Sequence, residues 1–111
     1  MSELFDPLKK LLPEADIHPS IEAFLSQGDN HQVIFMESVE EVIVPEHSHA
    51  PQWEYVLDGE IDLTRPSGTH TYRKGDWFFL AEGEKHAGHL KKGYKSVAVF
   101  FQKDRYGTKK R

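Results

Sequence analysis

The feature that most constrains this chain is its punctuation. From residue 31 onward, short β-forming runs are cut by turn signals roughly every eight to twelve residues, the signature of an all-β sandwich or barrel. Residues 31–39 carry Val33, Ile34 and Phe35, and residues 41–44 form a second run stopped by Pro45. A third, 52–57, ends at Asp58-Gly59, a strong hairpin signal. Residues 60–64 alternate cleanly between polar and apolar, as a half-buried strand does. Pro66-Ser67-Gly68 turns the chain into a run over 69–73, and Lys74-Gly75-Asp76 turns it again into Trp77-Phe78-Phe79-Leu80. Residues 96–101 close the set.

Ahead of this pattern, Leu4, Leu8, Leu11 and Leu12 are spaced for one face of a helix, with Asp6 and Pro7 suited to its first positions. The expectation is a short amphipathic helix over 3–12, stopped before Pro13. Residues 21–24 fit either a strand or a turn. The reading is therefore one domain: an arm over 1–30, a β barrel over 31–103 and a polar tail over 104–111. No repeat or linker divides it, and 111 residues suffice for a single core.

Charge and composition narrow the chemistry. A formal net charge of −4 argues against a nucleic-acid binder, whose affinity rests on Lys and Arg neutralising phosphates. The only cationic cluster, Lys109-Lys110-Arg111, is too short to reverse that. No apolar run approaches the roughly 18 residues of a membrane span. Residues 1–7 lack a basic segment followed by an apolar one, so the expected location is the cytoplasm. Without cysteine, any metal must be held by nitrogen and oxygen.

Such ligands are concentrated in one stretch. His47 and His49 are two apart and share a face if extended, and Gln52, Glu54 and Val56 share a face of the next run. His86 lies further on, after Gly83. Two imidazoles, an amide and a carboxylate around one small space suit a divalent transition metal. His89 has the opposite parity to His86. His18, His31 and His70 have no motif around them and are expected at the surface. Trp53, Tyr55 and Leu57 should face away from Gln52, towards packing or an intersubunit contact. Trp77 and Phe79 are expected in the core.

This arrangement resembles the two motifs of the cupin superfamily, and the match spans about 41–101. The first motif has His-x-His, then Glu, then six residues and Gly; here His47, His49 and Gly59 match, and Gln52 stands where the family has Glu. The gap between His49 and Gln52 is also one residue short. In the second, Gly75, Gly83 and His86 match, while Ala81 replaces a proline. The resemblance implies a double-sheet jelly-roll barrel, a homodimer, and one divalent metal (zinc, iron, nickel, manganese or copper) on His47, His49, His86 and, by position only, Gln52. Three histidines and a neutral amide leave the ion's charge uncompensated, which favours an anion at the open position. Glu54 is read as a catalytic pocket carboxylate; the alternatives are an internally hydrogen-bonded structural group or the fourth ligand. The implied activity is that of a dioxygenase, lyase or isomerase acting on a small anionic or carbonyl compound. A non-catalytic binding or sensing module is the other reading.

Overall fold

The computed structural model describes residues 4–109. The ends of the expected arm and of the basic tail, residues 1–3 and 110–111, lie outside the described residues. Within them the chain forms nine strands: β1 (Ile21–Gln27), β2 (Gln32–Ser38), β3 (Val42–His47), β4 (Gln52–Asp58), β5 (Glu60–Arg65), β6 (Gly68–Arg73), β7 (Trp77–Leu80), β8 (His86–Leu90) and β9 (Lys95–Phe100). They pair antiparallel in two sheets, one of order β1-β2-β9-β4-β7 and one of order β3-β8-β5-β6. The runs expected over 31–80 and 96–101 recur within a residue or two, apart from β3, which continues three residues beyond 44; residues 21–24, open between strand and turn, belong to β1, which continues to Gln27, and β8 is an additional strand.

Period-two burial explains why these runs are strands. In β2, β4 and β9 buried residues alternate with partly exposed ones, as one face of each strand turns inward. Ile34, Val56, Leu80 and Ala98 meet in the interior with Ile61, Leu63 and Leu90 of the facing sheet. Burying one such aliphatic side chain contributes about 1.5–3 kcal/mol. No helix among the described residues is long and apolar enough to cross a membrane.

Three expectations need correction. The two sheets share no strand, so the architecture is an open pair of packed sheets and not a closed barrel. The helix expected over 3–12 is a single five-residue 3₁₀ turn, Asp6–Lys10. Its leucine stripe finds little to bury against, since Leu4 is 55% and Leu11 76% exposed, and short helices lacking tertiary packing do not propagate. Only Phe5 is buried there, edge-on to Phe35. Finally, Trp77 and Phe79 point outward, 59% and 43% exposed, while Phe78 and Leu80 enter the core. A run that is apolar at every position carries no parity signal, and the register of β7 on β4 decides it: Phe78 faces Glu54 and Leu80 faces Gln52.

The edge of β1 is covered by the arm. Ala15 N–H donates to Ala23 O and Leu25 N–H to Pro13 O, at 3.0 and 2.9 Å. Pairing an exposed edge in this way removes a template for aggregation.

Candidate metal centre

Pro45 shapes the first part of the site. Lacking an N–H, it cannot continue the ladder between β3 and β8. The register therefore slips: Val44 faces Gly88 and His47 faces His86, so three steps on β3 oppose two on β8. This bulge turns His47 inward and sets it directly across from His86. The chain leaves β3 at Ser48, and His49 is anchored by its carbonyl, which accepts from Gly83 N–H at 3.0 Å.

The three rings converge. Their centroids are 5.2 Å (His47–His49), 4.3 Å (His47–His86) and 4.8 Å (His49–His86) apart, and one ligand atom from each lies within 4.8 Å of the others. Each Nδ1 faces a backbone carbonyl: His47 that of Pro45 at 2.9 Å, His49 that of Ala50 at 2.6 Å, and His86 that of Glu84 at 2.9 Å. A ring nitrogen facing a carbonyl must carry the proton, so each Nε2 is left with a free lone pair. Burial also lowers the pKa of His49 and His86, an effect to which the nearby Arg105 guanidinium adds, and this keeps both rings neutral. Neutral imidazoles with Nδ1 held by a carbonyl are the state in which histidine binds metal. His47, His49 and His86 thus form a site for a single divalent metal.

Gln52 and Glu54 stand beside it on β4. Both are buried, and both line one cavity of about 400 Å³ with the three histidines. Gln52 Nε2 donates to Glu54 Oε1 at 2.6 Å, which leaves its carbonyl oxygen as the free donor atom towards a cation. Tyr94 Oη donates to Glu54 Oε2. Burial pushes the Glu54 carboxyl up, and the bond from Tyr94 opposes it; burial and the neighbouring Glu54 push the Tyr94 phenol up in turn. Tyr94 reaches this place because Gly59, at φ +70°, lets the two backbones touch; a Cβ there would lie 2.8 Å from Tyr94 Cα.

The loop leading into His86 is pinned from β5, the neighbour of β8 in the same sheet. Arg65 grips Glu84 with Nε at 2.7 Å and Nη2 at 3.1 Å, and also donates to Phe79 O at 2.6 Å. Forked pairs of this kind fix geometry as well as charge. His89 faces away, its Nε2 3.0 Å from Glu41 Oε2 at an angle outside hydrogen-bond geometry. His18, His31 and His70 are exposed, though His18 borders the cavity mouth. Two residues at the site have no chemical role in the sequence reading. Tyr94 sits between Gly93 and the last strand, a position without a local signature. Arg105 belongs to the segment expected as a polar tail, yet it lines the cavity.

No protein-family model matches this sequence, and no curated protein is similar to it. Solved structures do share its shape. KdgF from Halomonas sp. superposes with a TM-score of 0.69 at 17% identity, covering 83% of this chain and 86% of that one. An RmlC-like cupin from Shewanella frigidimarina gives 0.73 at 17% identity, with 86% and 87% covered. Bacillus subtilis oxalate decarboxylase, studied for its Mn(II) centres, gives 0.68 at 19% identity; 83% of this chain spans 28% of that one.

Proposed function

We propose that this chain, which has the cupin fold, is a small metalloenzyme acting on a small anionic or carbonyl compound. The observation that carries the reading is the triple arrangement of Nδ1 donors on backbone carbonyls, which leaves Nε2 as the ligand atom of each of three rings that converge beside an apolar cavity. Gln52 completes the ligand set through its carbonyl oxygen. A divalent ion bound there supplies Lewis acidity, polarising a substrate oxygen or activating water. The description of oxalate decarboxylase as a protein with Mn(II) centres supports the metal but does not choose among manganese, zinc, iron, nickel and copper.

The chain's own groups supply the rest. Glu54 holds the Gln52 amide in one orientation and keeps a second lone pair on each oxygen, so it can take a proton from a substrate in the cavity. The apolar walls, among them Leu63, Phe78 and Leu80, exclude water around it. On the outer face of the five-stranded sheet, exposed Trp77 and Phe79 adjoin the stacked pair Trp53 and Tyr55, which supports pairing with a second copy; light scattering checks the mass.

Elemental analysis of protein expressed without added metal tests the centre. About one ion per chain is expected, lost in the His47→Ala/His86→Ala variant. No metal in the natural sequence, even after adding ions, refutes the metalloenzyme reading. Glu54→Gln separates enzyme from binding module: the variant keeps its metal, and an enzyme loses rate. A sensing module has no rate to lose.

A further inference from the structure

The segment after β9 is used by none of this chemistry, yet a small set of hydrogen bonds sets its course. Gln32, 1% exposed, grips the backbone of Tyr106 at both polar atoms: its Nε2 donates to Tyr106 O at 2.9 Å and its Oε1 accepts from Tyr106 N–H at 3.0 Å. Asp16 N–H donates to Gly107 O at 2.9 Å, and Thr108 bridges to Ala15. Residues 104–109 are thus a strap laid along the arm. The Tyr106 ring packs edge-on to Phe100, and the Arg105 guanidinium lies 4.5 Å from the centre of the Tyr106 ring.

Arg105 borders both the interior cavity and the outer recess formed by His47, Ser48, His49 and Ala50. Its Nε is buried without a hydrogen-bond partner, and among the described residues no carboxylate forms an ion pair with it. Glu46 and Glu82 border the same openings, but neither forms an ion pair with it. A partly buried guanidinium, stacked on an aromatic ring with a donor left over, is prepared for an anion. Deeper in the same cavity the walls are aliphatic: Met36, Val42, Ile61, Leu63 and Leu90.

We propose that Arg105 recognises the carboxylate of the ligand, and that the ligand is an aliphatic carboxylate whose head lies between this guanidinium and the histidines while its chain fills the apolar interior. The proposal rests on the metal reading for the position of the head, and narrows its anion to one class. Arg fits a carboxylate with two parallel N–H donors, and apolar walls favour each added methylene.

Hexanoate and its neutral counterpart hexanamide are the probes, titrated by calorimetry into metal-loaded protein and into protein stripped by chelator. In the stripped protein the preference for hexanoate is expected to persist at about tenfold, because Arg105 remains. Arg105→Gln should remove that preference and leave hexanamide binding within about twofold, with metal content unchanged. Acetate should bind at least tenfold more weakly than hexanoate. Equal binding of hexanoate and hexanamide to the stripped protein overturns the role of Arg105, whether or not the variant folds. Acetate as tight as hexanoate overturns the aliphatic part. Failure of the metal reading looks different: no ion is found, but the Arg105-dependent preference remains.

Discussion

Of the three strands that bring ligands to the site, β4 and β3 do so in the most different ways. β4 lies between β9 and β7, and its inward residues Gln52, Glu54 and Val56 follow simple alternation. β3 is an edge strand, paired on one side only, and it delivers His47 through a bulge at Pro45. The flanked strand gives a rigid floor whose polar groups are buried and mutually bonded. The edge strand gives a half-exposed ligand that a cation entering from solvent can reach. The floor should therefore govern stability and the edge should govern binding.

Removing the floor's central carboxylate is the harshest way to break that contrast. Glu54→Ala strands buried donors on Gln52 and Tyr94, and an unmet buried donor costs about 1–3 kcal/mol. Urea unfolding should show a loss of about 2–4 kcal/mol; a loss below about 1 kcal/mol would mean that the floor is not what holds the fold. His47→Ala, on the edge strand, should do the reverse, abolishing stoichiometric metal while lowering stability by about 1 kcal/mol. Metal retained at full occupancy would break the contrast from the other direction.

Arg65→Gln sharpens it. Freeing Glu84 loosens the loop before His86, and metal affinity should fall about tenfold in a competition assay. The ion pair is partly exposed, so the stability change should stay within about 1 kcal/mol. Ile43→Thr is the smallest test. Ile43 is on β3 but 64% exposed, and both stability (within about 0.5 kcal/mol) and metal content should be unchanged.

The same contrast explains what the sequence could disclose. Gln52, Glu54 and Val56 were legible as one face because period two holds along an undistorted strand. His47 and His49 were legible as a motif, but the bulge that aims His47 at His86 depends on where β8 lies, which no local pattern records. Trp77 and Phe79 were misplaced because their run is apolar throughout. The leucine spacing over 4–12 suggested a helix, but nothing lies opposite its stripe. The sequence suggests that the segment of Arg105 folds back onto a sheet or a neighbour, but it assigns Arg105 no chemistry, for a different reason. Its neighbours are polar, and the contact that fixes its segment comes from Gln32, far back in the chain.

That last contact bears on motion. Within each sheet the strands are joined by ladders of hydrogen bonds, whereas the strap is joined to the body by a few bonds: two from Gln32 to Tyr106, one from Asp16 to Gly107, one from Lys109 to Glu14. Segments with so few shared bonds open locally, at a free energy well below that of global unfolding. Were the strap to lift, Arg105 would leave the cavity wall it lines, while the histidines would stay where the strands hold them. Amide hydrogens at Tyr106 and Lys109 would then exchange far sooner than those of β4, and a ligand bridging Arg105 to the interior would slow them. A light fastening would then serve as a door.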